Sequence, residues 1–171
     1  MGVVLKSSSK DSAGAESDIE IHLVDKLENA ADFPSLQPRL AQRIVFECND
    51  LKFVSSYGAQ AWALWMQSFD ARQQFVFRDV PERAIDIFNL IANFLPSEHV
   101  IESFYVPYQC DSCKYETTWL ARRGKDYVEA VGDKPAKINM PPTLNCQACK
   151  NQMTIGVWGS KYFRFLEHQS T

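Results

Sequence analysis

The sequence predicts an α/β domain, a mixed sheet with helices packed on it, followed by a small β ribbon. Three observations carry that expectation. Strand-like and helix-like apolar periods alternate along roughly the first 105 residues. Two Cys-x-x-Cys pairs follow, Cys110 with Cys113 and Cys146 with Cys149. The composition, 46% apolar and 23% charged, is that of a folded chain. At 171 residues there is room for one ordinary domain with a small appendix. The expected division is an α/β domain over residues 1–105 and a ribbon over residues 106–171.

A short strand is expected at residues 2–5, then a polar, Ser-rich connection over 7–17 with no periodicity. Ile19, Ile21 and Leu23 alternate with Glu20 and His22, which is the period of a half-buried strand with His22 on its polar face. After a loop containing Pro34 and Pro38, residues 43–48 are β-branched and apolar enough for a central strand ending at Cys48, whose expected role is that of a small hydrophobe. Residues 50–54 turn into another short apolar stretch, and Ser56 is the expected N-cap of a helix carrying Trp62, Trp65, Met66 and Phe69 on one face. Residues 74–80 alternate again. Pro81 and Glu82 then open a second helix with the stripe Ala84, Ile87, Phe88, Ile91 and Phe94, stopped by Pro96. Residues 100–108 read as the last strand.

Composition and charge narrow the function classes. No apolar run approaches the roughly 20 residues that span a bilayer, and the N-terminal residues lack a secretory apolar core, so a cytoplasmic protein with no membrane partner is expected. Five cysteines, four of them in spaced pairs, suit a reducing compartment and metal binding more than a disulfide framework. The net charge is −3, unevenly spread. Residues 1–108 hold 9 basic against 15 acidic side chains, and residues 109–171 hold 9 against 6. A zinc tetrathiolate would add about −2 to the second part, leaving little positive charge for a nucleic-acid partner.

The two cysteine pairs stand 32 residues apart, and each can form a tight knuckle offering two thiolates to one tetrahedral site. Cys110, Cys113, Cys146 and Cys149 are therefore expected to hold a structural Zn²⁺. A hairpin from residues 115–121 and 126–131 around Gly124 is expected between the pairs. All four ligands come from the protein, so the site is closed and its role is folding.

The segment Asp50-Leu51-Lys52-Phe53-Val54-Ser55-Ser56-Tyr57-Gly58 resembles the signature of the STAS domain, the fold of bacterial anti-sigma factor antagonists. In that family a strand ends in Asp-Leu-x-x-hydrophobic, and Asp-Ser-x-Gly follows at a helix start. Ser56 matches the serine that an anti-sigma kinase phosphorylates, Gly58 matches the glycine, and Ser55 stands where the family has aspartate. The resemblance covers roughly residues 18–105. The part beyond resembles a variant in which such a domain runs through Val106-Pro107-Tyr108 into a Cys-x-x-Cys ribbon with an aromatic tail, here Tyr162-Phe163-Arg164-Phe165-Leu166.

The resemblance implies a non-catalytic bacterial signalling module that docks a protein partner, such as a kinase-type anti-sigma factor, around Ser55, Ser56, Tyr57 and Gly58. Absence of an enzyme fits His22, His99 and His168 lying in unrelated segments, with no nucleophile elbow or phosphate loop. The alternative is a nucleic-acid-binding ribbon, with Arg122, Arg123 and Lys125 beside Tyr115, Trp119 and Tyr127 as its surface.

Overall fold

A computed structural model describes residues 3–6, 18–35, 43–91, 94–96 and 99–167. The protein is mixed α/β and divides into two compact units, Met1–Glu102 and Ser103–Thr171. The expected boundary after residue 105 falls inside a strand of the second unit. The Ser-rich stretch at 7–17, Pro38 and His168 lie outside the described residues. Among the described residues no helix is long and apolar enough to cross a membrane.

In the first unit the strands are β1 (Val3–Lys6), β2 (Ile19–Leu23), β3 (Asp25–Leu27), β4 (Ile44–Glu47), β5 (Leu51–Val54), β6 (Phe75–Arg78) and β7 (His99–Ile101). The helices are α1 (Ser56–Met66) and α2 (Glu82–Leu90). One sheet has the order β1-β2-β4-β6-β7, with β1 antiparallel to β2 and all other pairs parallel. Its strands run in chain order, so right-handed crossovers must lay their helices on one face. Phe77 shows the result, meeting Trp62 of α1 at 6.3 Å and Phe88 of α2 at 5.8 Å. Across the four parallel strands Ile21, Phe46, Phe77 and Ile101 are in register and buried, forming the spine of the core. One residue further the same strands carry His22, Glu47 and Arg78 in register on the opposite face, and Arg78 bonds Glu47 at 3.2 Å and also Glu102.

Aromatic packing decides where the helices sit. Trp62 is fully buried, and its indole N–H donates to the Phe94 carbonyl at 2.7 Å; Trp65 donates to the Pro34 carbonyl at 2.7 Å. Each large ring thus buries its area without stranding its donor. α1 ends at Met66, leaving Phe69 half-buried in the turn beyond. α2 ends at Leu90 rather than reaching Pro96, because Ile91 leaves helical backbone at φ −106°, ψ 110°. Phe94 is still buried, stacked on Trp62 at 5.2 Å.

Two strands differ from the reading of the sequence. Asp25, at φ 61°, turns the chain sharply after β2, and β3 then pairs in parallel with β5 as a separate two-stranded sheet. The apolar run at 100–108 is not one strand. It breaks at Glu102, where the carboxylate takes up the Arg78 guanidinium and the backbone amide bonds the Phe77 carbonyl at 2.8 Å.

The second unit holds β8 (Ser103–Cys110), β9 (Glu116–Arg122), β10 (Tyr127–Val128), β11 (Lys137–Ile138), β12 (Thr143–Asn145) and β13 (Gln152–Ile155). A short helix α3 (Gly159–Tyr162) runs into a 3₁₀ turn at Phe163–Leu166. The main sheet has the antiparallel order β12-β13-β8-β9. Phe104, Val106, Tyr108 and Cys110 alternate along β8 and face the core. Phe104 meets Tyr127, Phe163 and Phe165 at 4.9, 6.2 and 5.1 Å, so the aromatic tail closes the core.

The expected hairpin around Gly124 does not form. β9 pairs with β8, and β10 pairs with β11. Between them Asp126, buried, accepts the Arg122 amide at 2.9 Å and donates its own amide to the Arg122 carbonyl at 2.8 Å, while Gly124 at φ 76° turns the chain. That turn sends β10 away from β9.

Candidate functional site

Each cysteine pair occupies the tip of an antiparallel hairpin. β8 ends at Cys110 and β9 begins at Glu116, so Cys110-Asp111-Ser112-Cys113 makes the first tip; β12 ends at Asn145 and β13 begins at Gln152, so Cys146-Gln147-Ala148-Cys149 makes the second. The two tips are built alike. The Cys110 amide bonds the Tyr115 carbonyl at 2.9 Å and the Lys114 amide bonds the Cys110 carbonyl at 2.8 Å, while the Cys146 amide bonds the Asn151 carbonyl at 2.8 Å and the Lys150 amide bonds the Cys146 carbonyl at 3.0 Å. Lys114 at φ 60° and Lys150 at φ 65° hold the same left-handed backbone, a conformation that a non-glycine residue adopts only where surrounding bonds impose it.

Pairing of β13 with β8, Met153 opposite Cys110, brings the tips side by side at one end of the sheet. All four Sγ atoms then lie within 4.8 Å of one another. Cys110 and Cys149 approach to 3.5 Å, and Cys113 and Cys146 to 3.6 Å. These separations are far beyond the roughly 2.05 Å of a disulfide, and the four residues can hold a metal ion. Cys110 and Cys146 are buried, Cys149 is half-buried and Cys113 is exposed.

The thiols of the cluster are unequal in acidity. The Cys113 amide above all, with the Cys149 thiol and the Ser112 amide, outweighs burial and brings the Cys110 thiol down to about 7. The Cys149 amide, with that of Ala148, lowers Cys146 in the same way. For Cys113 the Tyr115 amide pulls downward, but the neighbouring thiols of Cys149, Cys146 and Cys110 together with desolvation push it up to about 12. The first cysteine of each knuckle thus gives up its proton readily, and further ionisation meets like charge. A divalent cation at the centre removes that repulsion.

The fifth cysteine stands apart. Cys48 is buried, its Sγ 3.5 Å from the Phe46 carbonyl, and burial foremost pushes its thiol far above the ordinary range.

At the start of α1 the capping differs from expectation. Ser55, not Ser56, is the N-cap; its Oγ accepts the Gly58 amide at 2.9 Å and donates to the Glu28 carbonyl at 3.1 Å, and its amide bonds the Leu27 carbonyl at 2.9 Å. These contacts with the β3 end choose the first serine over the second, information that is not local to the motif. Ser56 is the first helical residue and exposed, as is Tyr57 at 77%. Gly58 is buried, and a Cβ there would stand 1.9 Å from the Leu27 carbonyl oxygen.

Of the surface expected for the nucleic-acid reading, Tyr127 is fully buried against Phe104 and Trp119 is half-buried in β9 opposite Val106. Arg123 Nε contacts both carboxylate oxygens of Glu129 at 2.8 Å. Tyr115, Arg122 and Lys125 are exposed. The hairpin that would have turned those rings outward is absent, because β9 and β10 pair elsewhere. Among large apolar side chains, sequence reasoning missed Trp158, which is 82% exposed; its flanking Gly156 and Gly159 were the available signal.

No family model, no curated protein and no solved structure matches the chain.

Proposed function

We propose that the chain is a non-catalytic bacterial regulatory protein of the anti-sigma factor antagonist type. Its first unit docks a signalling protein, such as a kinase-type anti-sigma factor, at the Ser56 end of α1, and its second unit is a ribbon folded around one structural zinc ion. The reading places it in the cytoplasm.

The observation that carries the docking surface is the division of labour between adjacent serines. Ser55 caps the helix, so the exposed Ser56 and Tyr57 are not needed as its cap. Ser55 bonds this end to Glu28 and Leu27, and Gly58 lets it pack closely on Leu27. A phosphate on Ser56 would meet the helix N-terminus, where dipole and amides tolerate it, and would change the surface a partner sees without refolding. Cys48 is buried, which supports a role outside catalysis for that thiol.

Four cysteines in two knuckles are a common structural zinc set, and Zn–S bonds of about 2.3 Å set tetrahedral sulfurs about 3.8 Å apart, a spacing compatible with the cluster, whose Sγ atoms lie within 4.8 Å of one another. Four protein thiolates leave no open position for substrate, as in structural sites.

The docking test is an affinity pull-down from bacterial lysate read by mass spectrometry, comparing wild type, Ser56→Asp and Ser55→Ala after each is shown to be folded. A partner lost in Ser56→Asp and retained in Ser55→Ala fits the reading. Full retention by Ser56→Asp moves the docking surface elsewhere.

A further inference from the structure

The second unit shows a distribution of charge that its sequence total hides. All nine of its Lys and Arg residues are exposed, whereas two of its six acids, Asp126 and Glu129, are buried at 4% and 3%. Each buried acid has its own partner: Asp126 holds the Arg122 amide and Glu129 holds Arg123. Glu129 neutralises Arg123, so burial of Asp126 makes the solvent-facing surface more basic than the composition suggests by about one charge, and a metal tetrathiolate would offset about two. On that surface Trp158 is 82% exposed.

Trp158 is not a loose loop residue. It caps α3, its carbonyl accepting the amides of Lys161 at 3.0 Å and Tyr162 at 2.8 Å. Downstream, the Tyr162 hydroxyl donates to the Tyr105 carbonyl at 2.6 Å, and Phe163 and Phe165 pack on Phe104. Upstream, the Gly156 amide bonds the Pro107 carbonyl at 2.9 Å. The chain is anchored on both sides of an indole that itself faces water, with Lys161 and Arg164 exposed three and six positions further on.

We propose that this face of the second unit binds single-stranded nucleic acid, with Trp158 stacking on a base and Lys161 contacting the adjoining phosphate. Stacking needs only one accessible ring and a base that is not already stacked, and surrounding cations track the backbone. A duplex hides its bases from such a ring. An anionic membrane fits less well: an interfacial helix must turn an apolar face outward, and here Tyr162, Phe163, Phe165 and Leu166 all point into the core. The proposal is independent of the partner of the first unit.

The test titrates full-length, metal-replete protein into fluorescein-labelled dT20 and rU20, a duplex of equal length, and phosphatidylglycerol vesicles at physiological salt. The expected Kd for either single strand is roughly 10⁻⁵ M, inside the non-specific range, with weaker binding to the duplex. Trp158→Ala should weaken binding about tenfold, Trp158→Phe should stay within about threefold, and Lys161→Glu should lower the salt slope by about one. The exposure of Trp158 makes misfolding of these variants an unneeded explanation, and circular dichroism checks it. Binding weaker than about 10⁻⁴ M, equal affinity of Trp158→Ala and wild type, or Trp158-dependent capture by vesicles with none by oligonucleotides would overturn the proposal.

Discussion

Gly58 has no room for a side chain. A methyl group there would overlap the Leu27 carbonyl oxygen at 1.9 Å, and that atom is backbone. Gly58→Ala should destabilise by about 3 kcal/mol or leave the unit unfolded, measured by urea denaturation. At the neighbouring cap, Ser55→Ala should cost about 1 kcal/mol, whereas Ser56→Ala, at an exposed first-turn position, should stay within about 0.5 kcal/mol. The sequence placed a serine cap here but one residue late, because two adjacent serines satisfy the local rule equally and contacts with Glu28 and Leu27, far away in the chain, break the tie. Cys48 gives a pH dependence with a definite sign. Its folded thiol stays neutral above the range where the unfolded thiol ionises, near pH 8.5. That contribution is fully present below this pH and is lost as pH rises above it. Native protein should leave Cys48 unmodified by iodoacetamide at pH 8, and stability should fall more steeply in wild type than in Cys48→Ala as pH is raised beyond about 9.

At the scale of elements, the helices and the central strands were legible because their signals are local. Strong apolar periods, a proline opening α2 and the tryptophan stripe of α1 each lie within a dozen residues. β3 was not legible. Asp25-Lys26-Leu27 has no strand period, and it exists as a strand because a left-handed turn at Asp25 carries it alongside β5. The partner of β9 was also hidden, since pairing with β8 rather than β10 follows from the buried turn at Asp126. The same turn region holds the Arg123–Glu129 pair, whose carboxylate side chain is 1% exposed. Arg123→Ala would leave that charge buried without its partner and should cost about 3 kcal/mol, while Arg123→Leu with Glu129→Leu should recover most of the loss. Thermal unfolding of the three proteins checks the difference. A single variant as stable as wild type would mean the pair contributes little.

Over the whole molecule, the two units differ in what holds them. The first has a spine of four in-register buried side chains under two helices. The second gathers its core around Phe104 and brings two hairpin tips together at the cysteines. The cysteine cluster was legible because Cys-x-x-Cys is a local pattern with a local geometry. The arrangement of the tips was not, because it depends on β13 returning to β8 after a long excursion. Removing the metal should therefore melt the amide signals of residues beyond Ser103 while those of the first unit persist. Acid should act in the same direction, since metal holds only deprotonated thiols and is released as pH falls.

The most direct measurement is the metal content of the full chain purified without chelator, taken by elemental analysis together with native mass spectrometry. One zinc ion per chain is the predicted result, lost in Cys110→Ser with Cys146→Ser and accompanied by loss of the second unit's amide signals. Metal-free protein whose second unit is folded, or one zinc per chain retained by the double variant, would contradict the tetracysteine centre.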